Sequence, residues 1–156
     1  MLEEIVKVAN AVSSNSIANG LIKDAQYEQS IYWIDEDTGL LCKCRPDILH
    51  ANCVADLKTT KSANSRMFQY SMRDYGYHIQ AAMIYEGLKA VTGKEYKDFI
   101  FIAVEKEPPY ATVCYQLDEL ALLQGVSDFK SSLQHLKECK AAYSWPSYEN
   151  QVIGLP

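Results

Sequence analysis

Asp47, Asp56 and Lys58 are residue types that phosphodiester cleavage uses, and they stand within twelve positions of one another. Such cleavage needs an oriented water, compensation of charge on the scissile phosphate and help for the departing oxygen, and one or two divalent ions supply all three. Two aspartates offer the hard oxygens that suit Mg²⁺, or Mn²⁺ in its place, and the backbone carbonyl of Leu57 can add a ligand because its side chain faces away from both acids. The ammonium of Lys58 would orient the attacking water or stabilise the pentavalent phosphate. By composition alone an Asp-x-Lys pair is usually a surface salt bridge, so these residues by themselves leave both readings open.

The flanking sequence must bring the acids together. Arg45-Pro46-Asp47 fits the end of one strand, His50-Ala51-Asn52 a turn and Ala55 to Thr59 a second strand, so the aspartates meet at the mouth of a hairpin with Asp56 and Lys58 on one strand face. Upstream, Ile31 to Ile34 reads as a strand, Asp35 to Gly39 as a tight turn and Leu40 to Leu49 as the antiparallel partner, which Cys53 to Lys58 extends into a meander. Pro46 lacks the donor a central strand needs, so a bulge or bend is expected just before Asp47; it would aim the carboxylate into a cleft or serve architecture alone.

Helical spacing predicts helices over Leu2 to about Val12 and over Ser16 to Ala25, the second capped by Asn15 or Ser16 and weakened by Gly20. Two more are expected from Met67 to Tyr75 and from Tyr77 to Ala90, separated by Gly76. Phe99 to Val104 is a nearly continuous apolar run, as in a strand covered on both faces, and Tyr110 to Leu117 supplies another strand after the Pro108-Pro109 turn. A last helix begins at the Asp118 cap and ends near Cys139, with Gly125 as a candidate break. The order implies an α/β fold, a mixed β-sheet flanked by α-helices, with the helices on one sheet face. No GxGxxG or GxxxxGK[ST] motif points to a nucleotide cofactor.

At 156 residues, 48% hydrophobic and 22% charged, with no linker or repeat, the chain is expected to form a single domain over 1–156. No apolar stretch approaches a membrane span and the start lacks a secretion signal, so no membrane partner and a cytoplasmic location are expected. Five cysteines, an odd number at strand-like positions, fit reduced packing thiols better than disulfides or a zinc site. A net charge of -5 argues against coating nucleic acid by bulk attraction. Local grip remains available from Lys58, Lys61, Arg66 and Arg73, with a solvated surface as the plain alternative. Thr59 could bind phosphate or simply end a strand, His78 could touch DNA or pack, and Tyr70, Tyr75 and Tyr77 could stack on a frayed DNA end or pack at the core edge.

The run Trp33-Ile34-Asp35 with Thr38-Gly39, then Cys42-Lys43-Cys44-Arg45-Pro46-Asp47, Asp56-Leu57-Lys58-Thr59-Thr60 and Tyr77-His78-Ile79-Gln80-Ala81-Ala82, resembles the catalytic domain of the RecE-like exodeoxyribonuclease VIII family within the PD-(D/E)xK nuclease superfamily. The resemblance runs from about Ala25 to the end, and Trp145 to Pro156 is similar to that family's closing segment. It implies a restriction-endonuclease-like fold and a Mg²⁺-dependent exonuclease that degrades linear double-stranded DNA from its ends, 5′ to 3′, leaving a 3′ tail for a single-strand annealing protein in phage-type recombination. It also implies a ring-like homo-oligomer around the DNA. By the same resemblance Asp47 and Asp56 are metal ligands, Lys58 is the catalytic lysine, Glu28 is an acidic residue near the metal, and Gln80 is the glutamine of a helix motif that touches the phosphate or a ligand carboxylate. Two features depart from the pattern: Ile84 rather than a tyrosine stands four residues after Gln80, with Tyr85 next, and no histidine precedes His50. A short or truncated N-terminal helical region is therefore expected. A structure-selective endonuclease and a catalytically impaired DNA-binding remnant are the rival readings.

Overall fold

The apolar positions Leu2, Ile5, Val6 and Ala9 lie in helix α1, Leu2–Ser14, with Glu3 and Glu4 in its first turn. Only Val12 of this helix is fully buried, while Leu2, Ile5 and Val6 stay exposed. Asn15 then caps helix α2, Ser16–Ile22, its side chain accepting from the N–H groups of Ile17 and Ala18 at 3.1 and 3.0 Å. This computed structural model describes residues 2–148 and Val152, so 149–151 and 153–156 of the closing segment lie outside the described residues.

Five strands follow, β1 (Gln26–Tyr27), β2 (Ile31–Ile34), β3 (Leu41–Cys44), β4 (Ile48–Leu49) and β5 (Cys53–Thr60). The expected continuous strand from Leu40 to Leu49 is broken into β3 and β4. Pro46, buried and without an N–H, falls in the gap, so the chain leaves one sheet there and enters another. β2 and β3 form a separate hairpin with Ile31, Trp33, Cys42 and Cys44 turned inward and Tyr32, Ile34, Leu41 and Lys43 outward. β4 belongs to a five-stranded sheet ordered β1-β4-β5-β6-β7. All five cysteines are free thiols, and burial pushes the Cys44 thiol up to about 11, in keeping with a packing role.

Two helices cross from β5 to its parallel neighbour: α3, Ser65–Asp74, and α4, Tyr77–Thr92. Gly76, at φ +64°, makes the sharp turn between them. β6, Asp98–Glu105, is the nearly continuous apolar strand the sequence predicts, and it lies parallel to β5 from Cys53↔Asp98 to Thr60↔Glu105. β7, Thr112–Gln116, returns antiparallel, and α5, Glu119–Ala142, starts at Asp118, which accepts from the N–H of Ala121 at 2.7 Å.

Helices cover both faces of the sheet, not one. Phe68, Ala81, Ile84, Leu88, Phe129 and Leu133 pack with Val54, Phe99 and Phe101 on one side. On the other, Val12 and Ala18 of the first two helices meet Ile48, Ala55, Ile102 and Val104. The alternation of β5 and β6 serves both cores, and an apolar run in sequence does not say which face has a helix to cover it. Gly125 does not break α5: a Cβ there would lie 2.2 Å from the carbonyl oxygen of His78, so glycine permits α5 to cross α4 closely. Among the described residues no helix is long and apolar enough to cross a membrane.

Candidate functional site

The bend at Pro46 sets Asp47 beside β5. Asp47 Oδ2 accepts from the N–H of Leu57 at 3.1 Å, and its backbone carbonyl accepts from the N–H of Glu28 at 3.2 Å. β4 pairs with β5 only at Ala55 and Val54, so the β5 edge at Leu57 is left to Asp47. Within a strand a residue's N–H and C=O lie on the same edge, which turns the Leu57 carbonyl toward Asp47 as well. The Leu57 side chain points to the opposite sheet face, where it lines a groove with Ile5, Val8 and Val12 of α1.

Asp56 and Lys58 share the other face, as period-two alternation requires. Asp56 is fully buried. Its Oδ1 accepts from Gln80 Nε2 at 2.8 Å, its Oδ2 faces Lys58 Nζ at 2.6 Å, and Lys58 Nζ donates to Gln80 Oε1 at 2.9 Å. The three side chains close a ring between β5 and the first turn of α4. Oδ2 of Asp56 has no directed hydrogen bond besides that ion-pair contact among the described residues. Burial pushes the Asp56 carboxyl above the usual aspartate range; Lys58 and Gln80 oppose this by hydrogen bonding and charge, and the nearby Asp47 adds to it by repulsion. The bond from the Leu57 N–H to Asp47 places Asp47 against the residue next to Asp56.

The ammonium of Lys58 also lies 4.6 Å from the centre of the Tyr77 ring. Tyr77 packs inward on Phe101, with centroids 5.6 Å apart, and outward on Tyr75 at 5.7 Å. A cleft of about 470 Å³ opens next to this stack, lined by Thr59, Thr60, Lys61, Tyr75, Tyr77 and Lys106 among others.

The other sequence candidates disperse. Glu28 joins Asp47 through its backbone, but its carboxylate holds Arg45 at 2.7 Å on the surface. Among the described residues no three His, Cys, Asp or Glu side chains form a group that could hold a metal ion. His78 turns away from Gln80 toward α5, where its Nε2 meets Asp128 Oδ2 at 3.2 Å. Arg66 is exposed on α3, and Arg73 lies over Tyr70 and 3.5 Å from Asp74. Tyr85 packs with Phe99 and Tyr96 in the core.

Two residues were not anticipated. Lys106 reaches the cleft because β6 runs parallel to β5, its N–H donating to the Thr60 carbonyl at 3.2 Å, a register no local pattern reveals. Lys130 on α5 meets the buried Asp35 at 2.8 Å, Asp37 at 3.2 Å and Glu86 at 3.5 Å, pinning the β2–β3 turn to α4 and α5. The acidic turn Asp35-Glu36-Asp37 was the one available signal for a cation there.

A family model described as "PDDEXK-like domain of unknown function (DUF3799)" matches residues 2–152. The fold is similar to that of a crystal structure titled "Putative exonuclease" from Eubacterium rectale, with a TM-score of 0.78 at 16% identity over 99% of this chain. This chain spans 62% of that one. An alkaline exonuclease from Laribacter hongkongensis aligns at a TM-score of 0.35 and 13% identity over 86% of this chain and 73% of its own, too distant to bear on the fold. No curated protein matches the sequence. The mixed sheet flanked by helices is the restriction-endonuclease-like architecture of this superfamily.

Proposed function

The chain belongs to the family of PDDEXK-like domains DUF3799, and from that membership we propose that it is a metal-dependent deoxyribonuclease, an exonuclease of the RecE-like kind acting on the ends of linear double-stranded DNA. The observation that carries this reading is the ring of Asp56, Lys58 and Gln80 next to Asp47. A fully buried carboxylate is costly unless its charge has a use or a partner, and here one oxygen is oriented by an amide while the other faces an ammonium at 2.6 Å.

The donor set suits a hard divalent cation. Mg²⁺ keeps several of its waters and needs only one or two protein carboxylates, so Asp47, Asp56 and the Leu57 carbonyl would suffice to hold it, without Glu28. When bound, it would polarise the phosphate and lower the pKa of a water. Lys58 has three N–H donors; one goes to Gln80 and one to Asp56, which leaves the third for an attacking water or a phosphate oxygen. Gln80 fixes both partners at once, keeping the ammonium from swinging off the site. Burial of Asp56 keeps bulk water from competing for these contacts.

The discriminating experiment offers end-labelled linear duplex and covalently closed circular DNA to the purified protein with Mg²⁺ or with EDTA. Mg²⁺-dependent loss of the linear substrate alone, absent in Asp56→Ala and Lys58→Ala, is the expected result. Cleavage of the circle would replace the exonuclease with an endonuclease, and a folded protein that binds DNA without cutting either substrate would refute catalysis. The end label placed 5′ or 3′ reads the polarity, and the annealing partner and ring-like assembly stand as companions of the same reading.

A further inference from the structure

We infer that the cleft between the end of β5 and α3 is a subsite for one unpaired nucleotide at a DNA end, with Tyr75 as the stacking platform for its base and Lys61 and Lys106 as the contacts to its phosphates. This rests on the proposed action on DNA and adds a substrate feature to it, an end that is opened rather than fully paired.

Three observations meet at this place. Tyr75 is 73% exposed yet stacked on a neighbour, its ring nearly parallel to that of Tyr77 at 23° and 5.7 Å. Tyr77 uses its inner side for the core, against Phe68 and Phe101, so the pair extends the aromatic core outward and ends on an open ring. An exposed aromatic ring held in a defined orientation is what a base needs for stacking, and any base will serve because each has a π-face.

The charge of the cleft is the second observation. Among the described residues its lining contains Lys61 and Lys106 and no carboxylate, in a chain whose net charge is -5. A local excess of cations in an acidic protein selects for an anionic ligand. Thr59 adds a hydroxyl suited to phosphate oxygens, while that of Thr60 donates to the Ser62 carbonyl at 3.1 Å.

Connection to the proposed reaction centre is the third. The Tyr77 ring that supports Tyr75 is also the ring under Lys58 Nζ at 4.6 Å, and Lys58 is bound to Asp56. A base stacked on Tyr75 is therefore one aromatic ring away from the lysine proposed to face the scissile phosphate. At about 470 Å³ the cleft falls in the range of about 300 to 1,000 Å³ of ligand sites, too small for a duplex and ample for a nucleotide.

The test uses duplexes carrying 2-aminopurine as the last residue of a short 5′ or 3′ overhang, with a second set carrying it at an internal paired position, all bound in EDTA. Wild-type protein is expected to quench the overhang probe and not the internal one. Tyr75→Phe retains the quenching, whereas Tyr75→Ala removes it and weakens overhang binding by roughly 5-fold to 100-fold. Lys106→Ala lowers the slope of log affinity against log salt by about 1. Equal quenching by Tyr75→Ala and wild type, or no quenching of either overhang, overturns the subsite. Cleavage of plain duplex by the same wild-type preparation in Mg²⁺ reports separately: quenching without cleavage keeps the subsite and refutes the nuclease, and cleavage without Tyr75-dependent quenching does the reverse.

Discussion

Gln80 touches both charged members of the central ring, so its removal separates positioning from charge. Gln80→Ala leaves Asp56 and Lys58 in place but frees each of them, and loss of such an orienting partner typically costs about 10- to 100-fold in activity. Lys58→Ala removes the donor itself and should cost more, about 100- to 1,000-fold. Single-turnover cleavage of labelled duplex measures both; a Gln80→Ala loss as deep as that of Lys58→Ala would assign Gln80 a direct contact with the reacting phosphate. Asp35 provides a charge effect remote from this chemistry. Burial opposes its ionisation, but hydrogen bonds from Lys130 and Thr38 and the charge of Lys130 outweigh that and hold the carboxyl below its ordinary range. Because the folded pKa lies below the unfolded one, the stabilisation is present above the ordinary value of 3.8 and is lost as pH falls through the lower folded value. Asp35→Asn should therefore cost about 2 kcal/mol at neutral pH, with the gap from wild type closing in acid, as urea midpoints across a pH series would show.

At the level of elements, the contact of α4 with α5 depends on one missing methyl group. A Cβ on Gly125 would fall 2.2 Å from the His78 carbonyl oxygen and 2.7 Å from its carbon, both backbone atoms that cannot rotate aside. Alanine favours an isolated helix by about 1 kcal/mol over glycine, yet Gly125→Ala should destabilise the protein by about 1 to 3 kcal/mol because overpacking dominates. Urea unfolding that shows a stabilised Gly125→Ala would contradict this packing. The sequence marks Gly125 only as a weakness in a helical pattern, since periodicity reports which side of a helix is apolar and not what crosses it. The same limit explains the other differences. Every helix and nearly every strand is legible from apolar period and caps such as Asn15 and Asp118, which act within a few residues. Pro46 announces a bend, while the transfer of the chain between two sheets depends on the partners of β4, which no local residue specifies. At the site, Asp56 and Lys58 are legible together because a strand repeats every two residues, whereas Lys106 arrives through a contact 46 positions distant in the chain, and away from the site Lys130 meets Asp35 across 95 positions.

For the whole molecule, the net charge of -5 and the proposed DNA substrate are compatible only if attraction is local. Lys58, Lys61 and Lys106 lie at or next to the cleft and Arg66 is exposed on the adjoining α3, while Arg73 is partly occupied by Asp74 and Tyr70. Each phosphate neutralised on duplex DNA contributes about -0.9 to the slope of log affinity against log salt. These four cations, of which Lys58 is already paired with Asp56, therefore set the slope between about -2 and -4, well short of that of a protein that coats DNA. The acidic remainder of the surface should in turn repel internal duplex and leave ends, where strands can separate and one nucleotide can enter the cleft, as the favoured target. Titrations at several salt concentrations with linear and circular DNA of equal length test both statements together. A shallow slope with tighter binding to the linear form fits an end-directed protein whose grip comes from one small basic edge; a slope steeper than about -6, equal for both forms, would require a second cationic surface and would remove the preference for ends.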